Sequence, residues 1–187
     1  LAQTDDKPPR AFRTPEGTAF FNDFNLFGVP VAFVNRTGYP DDIIRVQAEW
    51  AADVAAELGK PALAEITLNE DSYDTTNRVL SVSGEVEVFN ALPTSNTYLS
   101  VFLAENDIIS PQTMPDKSVN NAYEHEHVFR GTFNSAYGTP IDLSSGQANF
   151  NLSLTLIPEI VKDNCEVIAF VYDRDTYEIF QVNKIEI

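Results

Sequence analysis

Cysteine is almost missing from this 187-residue chain. Cys165 stands alone, so no internal disulfide can form, and cysteine usage is silent about redox compartment. Basic residues are scarce too: 12 Lys and Arg face 28 Asp and Glu, a formal net charge of -16. Such a surface repels phosphate, which excludes nucleic acid and anionic lipid as partners of the chain as a whole. No run approaches the roughly 20 apolar residues of a membrane-spanning helix. The opening Leu1-Ala2-Gln3-Thr4-Asp5-Asp6 lacks the basic, apolar and small-residue parts of a signal peptide. Either the chain is unsorted, or a targeting segment, and with it any lipid anchor, has been removed.

What is present suffices for one good core or two modest ones, with 43% of residues hydrophobic. Residues 1–13, polar and proline-rich, are expected to form an extended or disordered arm. Thr14-Pro15-Glu16 supplies a cap, a first-turn proline and a first-turn acid ahead of Phe20, Phe21 and Phe24, predicting a short helix from about Pro15 to Asn25. Val31-Ala32-Phe33-Val34, flanked by turn residues, predicts a short buried strand. From Asp41 to Leu58, Ile43, Trp50, Val54 and Leu58 lie on one helical stripe that Gly59 and Pro61 end, predicting one long helix.

Beyond Pro61 the hydrophobic period changes from helical to two, which sets a boundary between residues 14–61 and 62–187. Leu80, Val82, Gly84, Val86 and Val88 alternate with Ser81, Ser83, Glu85 and Glu87, and Phe150, Leu152 and Leu154 with Asn149, Asn151 and Ser153. These are half-buried antiparallel strands. With others near Ile66, Leu99, His127 to Phe133, Cys165 to Tyr172 and Tyr177 to Ile185 the count reaches about seven, as in an immunoglobulin- or fibronectin-like β-sandwich. The expected class is therefore α+β followed by all-β. Asn106 to Asn121, with two prolines and paired asparagines, reads as the longest irregular loop.

No set of residues completes a catalytic site. His125 and His127, two apart on a strand, could grip one metal ion, but a zinc centre needs three or four protein ligands and the chain has no other histidine. They are weak metal candidates, favoured as surface or packing residues, and no cofactor is expected. Cys165 opens an apolar strand, the place of an inert core thiol. Asp107, Asp116, Asn120 and Asn121 offer oxygens to calcium without EF-hand spacing and read as solvated loop residues. Tyr98 and Phe102 on the outward side of one strand, with Tyr123 nearby, could form a platform for sugar or peptide, though such aromatics more often fill contacts between domains. Pro30, directly ahead of the first predicted strand, is a candidate cis-proline.

The runs Arg13-Thr14-Pro15-Glu16-Gly17-Thr18-Ala19-Phe20-Phe21, Gly28-Val29-Pro30 and Val34-Asn35-Arg36 resemble the thioredoxin-like part of a Bacteroidetes family, outer-membrane protein twenty-eight. His125, His127-Val128-Phe129-Arg130 and Gly138 resemble a segment of its immunoglobulin-like C-terminal domain. The resemblance implies an outer-membrane-associated envelope protein, matches Pro30 to the thioredoxin cis-proline, and makes residues 14–61 a partial thioredoxin-like segment. It transfers no Cys-x-x-Cys. The function expected is that of a non-enzymatic envelope accessory protein with a protein partner, touching the membrane only through a lost lipid anchor. Tyr98, Phe102, Tyr123, His125, His127 and Arg130 are its possible contact residues. An oxidoreductase whose redox half lies elsewhere and a carbohydrate- or peptide-binding module are the alternatives. The sequence leaves oligomeric state open.

Overall fold

A computed structural model of the chain describes residues 12–28 and 31–187. Two helices, α1 (Pro15–Asp23) and α2 (Trp50–Leu58), precede ten strands: β1 (Ala64–Asp74), β2 (Val79–Val88), β3 (Thr97–Glu105), β4 (Ile108–Thr113), β5 (Val119–His125), β6 (Val128–Thr132), β7 (Thr139–Pro140), β8 (Gln147–Thr155), β9 (Cys165–Asp173) and β10 (Ile179–Glu186). One sheet has the order β1-β2-β8; the other follows β10-β9-β3-β6, with the short β7 also beside β3. All these pairings are antiparallel, so the alternation of the sequence is realised as a β-sandwich.

The core between the sheets is built by period-two positions. Leu80, Val82 and Val86 of β2 meet Leu99, Val101 and Leu103 of β3 and Val167, Ala169 and Val171 of β9, and all nine are buried. At one open side of the sandwich, Gln181 and Asn183 of β10 donate side-chain amides to the carbonyls of Ala64 and Ile66, at 2.7 and 2.8 Å. Backbone acceptors of β1 that face β10 are thereby satisfied without a continuous ladder, and the edge is protected.

Four local expectations change. The helix predicted over Asp41–Leu58 forms only from Trp50. Residues 41–49 turn instead: Arg45 exchanges two backbone hydrogen bonds with Ala32, and Trp50 donates its indole N–H to the Arg45 carbonyl. The predicted strand at Val31–Val34 reduces to that one bridge between Ala32 and Arg45. The expected loop at Asn106–Asn121 contains β4 and the first three residues of β5, which form an antiparallel ribbon whose register shifts around Pro111. A bulge is where a residue without an N–H fits, and the proline had masked the alternation. The first helix ends at Asp23, two residues short of expectation, because Asn25 takes a left-handed φ of 49°.

Candidate functional site

Strand β3 aims Leu99, Val101 and Leu103 inward, so Tyr98, Ser100 and Phe102 project from the outer face of its sheet. Residues N-terminal to the sandwich cover that face. Phe20 of α1 lies 5.7 Å from Phe102, 5.9 Å from Phe129 and 5.4 Å from Tyr137, ring centre to ring centre. Phe24 packs edge-on against Phe33 and Tyr177 at 5.1 and 5.2 Å. Edge-to-face contacts of this kind add about 0.5–1.5 kcal/mol each beyond area burial.

Two arginines thread through the rings. Arg36, only 9% exposed, places its guanidinium 5.0 Å from the Phe170 ring, 5.5 Å from Phe24 and 5.6 Å from Tyr172. Burial lowers its pKa while the neighbouring tyrosines oppose the shift. Arg174 sits over Tyr177, Tyr137 and Tyr98 at 4.8, 5.2 and 5.7 Å and donates to the Tyr177 hydroxyl. Tyr172 and Tyr177 stack between the two cations, their planes 16° apart. Burial pushes the Tyr172 hydroxyl up to about 12, and it donates to the Tyr137 carbonyl. Tyr98 and Phe102 are thus engaged inside the chain: Phe102 by Phe20, Phe129 and Phe170, Tyr98 by Tyr172 and Arg174. Gly138 supports this region at a φ of +67°, with the Leu99 carbonyl 2.1 Å from where a Cβ would stand. Only glycine fits there.

At the far end of β3 the β4–β5 ribbon leaves the sandwich. Both arms kink at the same level, with Asp107 and His127 at φ 57° and 53°. The kink is braced by buried carboxylates. Glu166, 1% exposed, accepts from His127 Nδ1 at 2.5 Å and Lys184 Nζ at 2.6 Å. Burial opposes its ionisation, but these two partners outweigh burial and hold its carboxyl below the usual range. Glu105, also 1% exposed, pairs with Arg130 Nε at 3.1 Å and accepts the Val161 N–H at 2.9 Å. Cys165 is buried beside it, its thiol pushed up to about 12 by desolvation and then by Glu105.

The kink separates the histidines. His125 reaches the Ser110 carbonyl at 3.3 Å and lies edge-on to Tyr123 and Phe12, while His127 turns to Glu166. Arg130 is an internal partner of Glu105. The group the ribbon base does assemble is acidic: Asp107, Glu124 and Glu126, all exposed, bring carboxylate oxygens within 4.8 Å of one another. Pro30 lies outside the described residues; among those described, the cis X-Pro bond is Tyr39–Pro40. Glu105, Glu166, Arg36 and Arg174 were absent from the residues the sequence suggested. Glu105 had a signal, since it continues the inward period of Leu99, Val101 and Leu103.

Along the ribbon, Ile109 is 54% and Val119 57% exposed, and Tyr123 is also exposed. β4 pairs only with β5 and β5 only with β4, so each has one unpaired edge among the described residues.

The family described as "Outer membrane protein Omp28" matches residues 17–187. Among solved structures, HBP35 of Porphyromonas gingivalis is similar at 17% identity and a TM-score of 0.73, over 92% of this chain and 57% of that one. A crystallised domain of the outer membrane lipoprotein Omp28 from Porphyromonas gingivalis is similar at 19% identity and a TM-score of 0.48, over 68% of this chain and 90% of that one. No curated protein matches the chain.

Proposed function

We propose that this chain, which belongs to the Omp28 outer membrane protein family, is a non-enzymatic accessory protein that holds a protein partner on its β4–β5 ribbon. Its association with the outer membrane of the cell envelope follows from the family, as the resemblance of the N-terminal runs implied. The observation that carries the binding role is the exposure of the ribbon's side chains and strand edges among the described residues. The ribbon presents Ile109, Val119 and Tyr123 to solvent beside unpaired strand edges, whereas the aromatics of the β3 face are already engaged. A free edge accepts an added strand through main-chain hydrogen bonds, and flanking apolar side chains select its sequence. The partner is therefore an extended segment with apolar residues at alternate positions.

Support for a non-enzymatic role comes from Cys165, whose burial and raised pKa are the reverse of what a nucleophilic thiol needs. The thioredoxin-like reading of residues 14–61, and the oxidoreductase alternative with it, rest on the resemblance around Gly28-Val29-Pro30. The experiment is photocrosslinking in intact envelopes with the probe at Ile109 or, as control, at Ser153 on the opposite sheet. The proposal expects one discrete adduct from Ile109 and none from Ser153. Equal yields from both sites, or none from Ile109, would contradict it.

A further inference from the structure

Past the end of α1 the chain leaves a depression of about 440 Å³, lined by residues of the segments 24–27 and 40–49. That volume falls within the roughly 300–1,000 Å³ of ligand sites. Its floor is apolar and fixed. Phe24 and Ile43 line it and are both buried, and Phe24 is held edge-on by Phe33, Tyr39 and Tyr177. Its sides are apolar as well, but open: Phe27 is 84% and Val46 54% exposed. A phenylalanine left this open at the edge of an apolar concavity is surface that a bound group would cover.

The rim carries charge of one sign. Asp41, Asp42 and Glu49 line the depression, and no Lys, Arg or His does. Arg45 is engaged by Asp42 at 3.1 Å and by Asp53 at 2.8 Å. Among the described residues, Asp41 and Glu49 pair with no cation. Glu49 is nonetheless fixed, its Oε2 accepting the Val46 N–H at 2.9 Å, which sets a carboxylate beside the Val46 wall. Apolar walls under an acidic rim match one kind of side chain. Lysine and arginine lay an aliphatic stem on apolar surface while the cationic head stays at its edge, and aromatic rings attract that head. An acidic group is repelled, and a purely apolar one leaves the carboxylates without a partner.

We propose that this depression receives a lysine or arginine side chain from a basic segment of a protein partner, the stem resting on Phe24, Phe27 and Ile43 and the head meeting Asp41 and Glu49. The excess of 28 acidic over 12 basic residues steers such a segment toward the chain. No residue of the β4–β5 ribbon lines this site, so it does not rest on strand addition there.

The test is fluorescence anisotropy of the whole chain at low salt with labelled pentalysine as the probe. Pentaglutamate and side-chain-acetylated pentalysine, which keeps the stem and loses the charge, are the comparisons, and spermine is a competitor. Asp41→Asn/Glu49→Gln removes two rim charges, and Val46→Trp narrows the depression without changing charge. Asp71→Asn/Glu87→Gln removes two exposed charges from β1 and β2 as the control. Urea midpoints establish that each variant is folded. The native chain is expected to bind pentalysine and neither comparison peptide, about fivefold or more weakly in Asp41→Asn/Glu49→Gln and in Val46→Trp, the scale of two exposed ion pairs, and undiminished in the control. No binding of pentalysine, undiminished binding by Val46→Trp, or equal weakening in the control, which would mean charge attraction without a site, would each overturn the proposal. So would displacement of the probe by spermine at a lower concentration than unlabelled pentalysine needs, which would assign the depression to a free polyamine.

Discussion

The two outer faces of the sandwich are built from strands of the same period, yet they meet opposite fates. On the β10-β9-β3-β6 side the outward positions are Phe102, Phe129, Phe170 and Tyr172, and the chain covers them with its own Phe20, Phe24 and Arg36. On the β1-β2-β8 side they are Thr, Ser, Asn and Glu, left bare around a shallow depression. Alternation alone says which residues point away from the core. Their chemistry decides whether that outward side is solvent or a second core.

Substitutions at matched outward positions break or sharpen this contrast. The largest effect belongs to Phe24, buried among Phe33, Tyr39, Tyr177 and Arg36. Phe24→Ala should cost about 3 kcal/mol in urea unfolding, at the lower end for a buried phenylalanine. Glu166→Gln follows, at about 2 kcal/mol near neutral pH, the scale of hydrogen bonds to a charged group. Because the folded carboxyl is held below its ordinary value, this contribution is complete above a pH of about 4.3 and is lost as pH falls through the folded value. The gap between the native chain and Glu166→Gln in unfolding free energy should therefore close on acidification. Arg36→Met keeps much of the volume and removes the cation, and is expected to cost about 1–2 kcal/mol. On the bare face, Asn149→Ala should change stability by less than about 0.5 kcal/mol. Cys165, finally, should resist iodoacetamide at pH 8 in the folded chain and react once urea unfolds it, given a thiol pushed up to about 12.

Much of the sandwich was legible because period two survives in sequence wherever one side is buried. The N-terminal part was harder. The stripe Ile43, Trp50, Val54 and Leu58 matched a helix, but Val54 and Leu58 are exposed while Ile43 is buried in a turn, so the stripe marks no single packed side. Local hydrogen bonds from Arg45 decided the backbone there, and such bonds leave no periodic trace. The ribbon was hidden by Pro111 and by Asn120-Asn121, residues typical of loops that a bulged, exposed strand tolerates. The outward aromatics Tyr98 and Phe102 were visible, and so was their tendency to fill contacts. What sequence could not supply is that Phe20, more than 80 residues away, is the ring that meets Phe102. Arg36 stood in a run that resembles the family, but its place between the rings gave no signal, because a cation among aromatic rings follows no spacing rule.

The docking of the N-terminal part on the aromatic face is the claim on which the contrast depends, and a double-mutant cycle tests it most directly. Phe20→Ala, Phe102→Ala and the double variant would be compared by urea unfolding. Contact at 5.7 Å predicts a coupling energy of about 1 kcal/mol. Strict additivity would mean that the two rings do not meet in solution, and that the aromatic face is open to other partners.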